Sequence, residues 1–242
     1  VPRLGLQIAA AVAVLALALP AATGGAAPDL VETVRAAADP AAAAVRVTPP
    51  VDVVSIGQSG PMTAPYIAAA EAVARAVNAP SVLGRSFNVG LWAVRRAEVP
   101  VQLAGVGRSG IWQFPMAATA LPVEAIGRVM TAPVAAAVAR GEVVLGATSA
   151  ALRGARAGDT LDLIAADGNA RRFVLGHVAA DADIGGAELV MSTEQADVLG
   201  ADRVTRVVIF GRIDRTAFGE ALVEQGLADG EGVRISTSWN PF

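Results

Sequence analysis

In "SFNVGLWAV" the apolar residues Phe87, Val89, Leu91 and Ala93 stand two apart, the spacing that places them on one face of a strand. Strand patterns of this kind cover 51–57, 86–95 and 99–106, and 64–78 has helical spacing entered through Thr63 and Pro65. A helical stretch over 122–139 is divided near Pro133, because proline lacks the N–H that a continuous helix needs. From Gly141 onward the pattern sharpens. "EVVLG", "TLDLIAA", "RRFVLGHVAA", "AELVMS", "RVTRVVIFG" and "VRISTS" read as strands, and "TSAALRG" as one or two helical turns. Asp167-Gly168-Asn169 predicts a hairpin, since Asp-Gly accommodates the positive φ of tight turns. Ser192 and Gln195 form a capping box for a helix over 193–200. Asp214 caps a helix over 215–228 whose Phe218, Leu222 and Leu227 lie roughly on one face.

Strands and helices are intermixed without a regular β-α-β period, and no segment repeats at a fixed spacing. The expected fold class is α+β, a mixed or antiparallel sheet with hairpins and flanking helices. Residues 51–242 form this domain, with 51–140 and 141–242 as two lobes.

The first residues follow another pattern. Arg3 precedes a mainly apolar run from Leu4 to Leu19, Pro20 ends it, and small residues follow. That is the order of a secretory signal. The run falls short of the roughly 20 residues that span a bilayer. Residues 1–27 therefore read as a cleaved signal peptide, with a membrane anchor through residues 4–22 as the alternative. Residues 28–50 hold a short Ala-rich helix over 29–45 and a linker around Pro49 and Pro50. The expected location is extracytoplasmic, secreted or in the cell envelope.

Composition narrows the chemistry. A net charge of −3, with 54% apolar and 17% charged residues, excludes a disordered tail and gives no reason to expect nucleic acid as partner. Apart from His177, every basic side chain is arginine, so Schiff-base and Walker-A lysines are excluded. The lack of cysteine excludes disulfides, thiol nucleophiles, Cys-ligated zinc and lipoprotein acylation.

Gly105, Gly107 and Gly110 have G-x-G-x-x-G spacing, yet "IWQFP" follows instead of a helix, and no acid stands about 20 residues on for a ribose. A glycine-rich turn between strands is the reading. In Gly57-x-x-Gly60, Pro61 and Pro65 lack the N–H groups a phosphate cradle needs. "GQSG" and "GRSG" lack the last glycine of a nucleophile elbow. His177, placed by alternation on the face of Phe173 and Leu175, reads as structural, and one histidine cannot supply a usual zinc site. Asp181, Asp183 and Glu188 suggest a calcium loop, but Gly185 occupies the position of the fifth oxygen ligand. Asp159 and Asp162 are a carboxylate pair without a local glycosidase motif. Tyr66, Trp92, Trp112 and Trp239 could form a ligand surface, although the core needs most of them. No catalytic, cofactor-binding or metal-binding residue is assigned, and an enzyme within these residues is the less favoured class.

The stretch from Arg140 to Gly200 resembles the extracytoplasmic domains of FtsX/MacB-type permeases. The resemblance rests on Gly146, Gly158-Asp159, Leu161, Leu163, Phe173, Val174, Gly176, Val178 and Leu199-Gly200, with "SVLGRSF" around Gly84–Phe87 upstream. It implies a MacB-core-like α+β fold and a non-catalytic domain that binds an envelope protein or peptidoglycan component. The family's further transmembrane helices do not occur before Phe242. The chain is also similar to the front part of secreted actinobacterial D-alanyl-D-alanine carboxypeptidase-like proteins. That second resemblance implies an accessory region whose peptidoglycan-cleaving domain, with its zinc ligands, lies beyond Phe242.

Overall fold

The computed structural model describes residues 51–58, 60–103, 105–107, 110–112, 114–227 and 233–236. The signal or anchor, the helix expected over 29–45, and Trp239 lie outside the described residues. The chain runs β1 (Val51–Gln58), α1 (Ala64–Ala76), β2 (Ser81–Arg96), β3 (Val99–Leu103), β4 (Gly105–Gly107), β5 (Gly110–Trp112) and β6 (Phe114–Leu121). It continues through α2 (Val123–Val129), α3 (Ala132–Ala139), β7 (Val143–Gly146), α4 (Ala147–Leu152), β8 (Thr160–Ile164) and β9 (Ala170–Ala179). A 3-10 turn (Asp181–Ile184), β10 (Leu189–Ser192), α5 (Thr193–Val198), β11 (Arg206–Ile213), α6 (Arg215–Glu224) and β12 (Val233–Ser236) complete it. The fold is α+β with a mixed sheet. Among the described residues no helix is long and apolar enough to cross a membrane.

Six strands close into a barrel in the order β2-β6-β10-β7-β9-β8, with β8 returning to β2. Alternate residues point inward and fill it: Val89, Leu91 and Val94 from β2, Met116, Ala118 and Ala120 from β6, Leu161 and Leu163 from β8, with matching pairs from the other strands. The pairing pattern has a pseudo-two-fold. Exchanging β2 with β8, β6 with β9 and β7 with β10 turns the antiparallel β2–β6 pair into β8–β9 and the parallel β6–β10 pair into β9–β7. The antiparallel pairs β2–β8 and β7–β10 map onto themselves. No fixed sequence period accompanies this repeat because the connections differ. Strands β3 to β5 are inserted between β2 and β6, and α2 and α3 stand where the second unit has a 3-10 turn.

The first residues of β2 belong to a second, open sheet, β12-β1-β11-β2. The strand expected over 86–95 therefore begins at Ser81: residues Ser81–Gly84 pair with β11, and only from Arg85 does β2 join β6. Strand β11 is buried on both faces. Val207 and Ile209 pack with α1 and α6, whereas Val208 and Phe210 pack with α2 and α3. Those two helices also cover Val144 and Val190 on the outside of the barrel. The barrel takes β2 and β6 from before residue 140 and its other four strands from after it.

Local signals explain the ends of elements. Ser192 and Gln195 form the expected capping box, and Asp214 accepts from the N–H groups of Thr216 and Ala217. The β8–β9 hairpin forms, but only Gly168 has a positive φ (80°), and Gly168 N–H bonds to the Ala165 carbonyl. This is a three-residue loop closed by a left-handed glycine, so Asp167 keeps an ordinary conformation. The β2–β3 hairpin breaks the usual rule. Its two-residue turn places Ala97 at φ 47° and Glu98 at φ 67°, a conformation that favours Asn-Gly. The double substitution Ala97→Asn, Glu98→Gly should stabilise the fold by about 1 kcal/mol through relief of this strain. The exposed Glu98–Arg172 pair it removes is worth little. A rise of about 2–4 °C in melting temperature is expected, and an unchanged or lower value would disprove the strain.

Candidate functional site

The glycine motif is a hairpin. Gly105 pairs with Trp112, Val106 with Ile111 and Gly107 with Gly110, and the next element is strand β6. With no helix opening at Gly110, the segment offers no helix N-terminus to a pyrophosphate.

The acidic residues are held by arginines and backbone groups. Asp159, only 2% exposed, receives Arg96 through Nε at 2.9 Å and a terminal nitrogen at 2.8 Å, and the Arg156 N–H at 2.9 Å. Burial alone would raise its pKa, but the Arg96 guanidinium and the Arg156 N–H together hold it below the usual carboxylate value. Asp162, 4% exposed, lies between Arg95 and Arg172, and Arg172 reaches on to Glu98. The two aspartates are thus separate ion-pair centres on β8 and the turn before it. Asp181 and Glu188 both serve the start of α4. Asp181 accepts from the Thr148 N–H and hydroxyl, and Glu188 from the Ser149 hydroxyl at 2.7 Å and the Ala117 N–H at 2.9 Å. Burial pushes the Glu188 carboxyl up, yet those donors and Arg153 outweigh it and leave its pKa lowered. Asp183 is exposed and shares in neither arrangement.

His177 is not on the face that strict alternation assigns to it. Val143 pairs with Leu175 but Val144 pairs with His177, so β9 has one extra residue at Gly176. Phe173 and Leu175 face the barrel core before the bulge and Val178 after it, which leaves His177 on the outward side with Val144. Gly176 is required there: a Cβ would lie 2.7 Å from the Cβ of Glu142. Tyr66 packs in the α1 core, and Trp92 sits at a bulge of β2 between Leu91 and Ala93.

The feature that sequence patterns missed is a cleft of about 530 Å³ where the open sheet meets the barrel. Ser86 and Asn88 of β2 and Thr119 of β6 line it from the barrel side. Gln58 at the end of β1, Arg234 of β12 and the segment Gly200–Thr205 line it from the other. Arg85 fixes that segment by donating to the Thr193 and Ala201 carbonyls and pairing with Asp197. Thr205 is locked to β2 because its hydroxyl accepts from the Ser86 N–H at 2.7 Å. At the junction lies Arg206, wholly buried, its guanidinium lowered by burial to about 10. Among the described residues the cleft is lined by serine and threonine hydroxyls but no histidine, and Asp202 is the one carboxylate among them. A hydroxyl nucleophile needs an adjacent base, so this set of groups suits hydrogen bonding to a ligand. No signal of period or motif could have found it, since its residues come from segments far apart in the chain.

No protein-family model matches the chain, and no curated protein matches it either.

Proposed function

We propose that this chain is an exported, non-catalytic module of the cell envelope that binds a protein or wall component. The observation that carries the reading is how its reactive groups are used. Asp159, Asp162, Asp181 and Glu188 are committed to arginines, hydroxyls and backbone N–H groups, while the cleft presents hydrogen-bonding side chains without an acid–base pair. The signal-like N-terminus supports export. The finer form of the proposal is a permease-type extracytoplasmic domain, because the segment that carries that resemblance is β7 through α5, which contains the second unit of the barrel together with the last strand of the first.

The test has two readouts on the native product. An antibody against residues 51–242 should find the protein in the envelope or the medium, and the purified chain should release no soluble fragments from peptidoglycan. Fragment release that disappears in His177→Ala would replace the binding reading with a catalytic one, and a purely cytoplasmic location would end the envelope reading.

A further inference from the structure

We propose that the cleft at the junction is the binding site itself, and that its ligand is a short peptide ending in a free carboxylate. The inference rests on the binding-module reading above and specifies its site and ligand.

Thr119 and Ser86 lie side by side in the lining of the cleft. Thr119 is 4% exposed, and its neighbours Ala118 and Ala120 point into the barrel, so its side chain is turned outward to the cleft. Ser86, its register partner on β2, shares that outward face, and the Ser86 Oγ is buried without a partner. A buried hydroxyl left unpaired is costly, and the Ser86 hydroxyl, beside Thr119 in the cleft lining, marks a place where a ligand supplies the missing bond.

The surrounding groups define the ligand. Gln58 and Asn88 each offer one acceptor and a donor group, the complement of the N–H and C=O of a peptide unit. Arg203 stands at the cleft as a cation that suits a carboxylate. Arg203 is exposed and makes no ion pair among the described residues, and a guanidinium binds a carboxylate through two parallel bonds. The volume, about 530 Å³, accommodates a peptide of a few residues. Phosphate-rich ligands fit less well, because Pro61 puts a residue without N–H in the wall.

Calorimetric titration of the full chain with trialanine and with trialanine amide tests this. Trialanine should bind, and the amide should bind at least tenfold more weakly. Arg203→Gln should remove about tenfold of the affinity for the acid and under twofold for the amide. Thr119→Val, which keeps the side-chain shape, should weaken binding about fivefold without lowering the melting temperature. Ala117→Trp, at an exposed position of the lining, should block the cleft. Equal affinity for acid and amide, binding that survives Ala117→Trp, or no binding of either peptide at millimolar concentration would overturn the inference. Those results would leave the binding-module reading standing if the chain still captured an envelope component. Hydrolysis of trialanine would instead refute the non-catalytic reading itself.

Discussion

Replacement of Asp159 by asparagine is expected to destabilise the fold by about 3 kcal/mol, the lower end of the cost of breaking a buried ion pair, since Arg96 is partly exposed. Asparagine keeps one acceptor but presents an NH₂ group to a guanidinium that has only donors. The loss falls at a three-way joint. Arg96 ends β2, Arg156 belongs to the turn that enters β8, and the Asp159 carbonyl accepts from Leu175 of β9. The same substitution should flatten the acid limb of the stability curve. The folded state holds the Asp159 carboxyl below its ordinary value, while the unfolded chain titrates near 4. The unfolded chain therefore binds more protons as pH falls, and stability that is complete above about pH 5 is lost progressively below about pH 4. Glu188 acts in the same direction. Urea midpoints from pH 7 to pH 3 measure both effects. An Asp159→Asn protein with the parent's midpoint, or the parent's acid slope, would show that the pair contributes nothing.

Gly84→Val should cost about 3 kcal/mol, the upper end of the usual overpacking penalty. Strand propensity alone predicts the opposite sign, because valine favours strands and glycine weakens them. Packing decides. A Cβ at this position would stand 2.7 Å from the Leu121 Cδ2 and 2.8 Å from the Cγ of Arg206. Arg206 is fully buried and directly opposite Gly84 in the β2–β11 register, so neither neighbour has free space to enter. Gly84→Ala should show a smaller loss of the same sign. Chemical denaturation of both variants checks the order, and a stabilised valine variant would mean that the junction is loosely packed.

What could be read from sequence was whatever depends on residues close together in the chain. The Ser192–Gln195 box and the Asp214 cap are formed by neighbours within one turn, and both are legible as motifs. The single-face pattern of β2 was visible because one side of it lines the barrel core. Its first residues were not, because Ser81–Gly84 gain their strand character only from β11, more than a hundred residues later. Alternation places His177 on the wrong face, since the bulge at Gly176 depends on the parallel partner β7 and leaves no local sequence signal. The Ala97-Glu98 turn carries no turn-forming residue, so its conformation is imposed by the pairing of β2 with β3. The cleft was invisible for the same reason: Gln58, Thr119 and Arg203 have no relation until the sheet assembles.

Strand β2 has 16 residues, about 50 Å of continuous backbone at roughly 3.3 Å per residue. One end is bonded to β11 in the open sheet and the other to β6 and β8 in the barrel. It is thus a load path as well as a wall. Tension applied along it meets the barrel ladders in shear, with many hydrogen bonds sharing the force at once, instead of opening them one after another. A pull on the open sheet is carried into the barrel without a slack joint between them, and the cleft lies beside the stretch of strand through which that force passes.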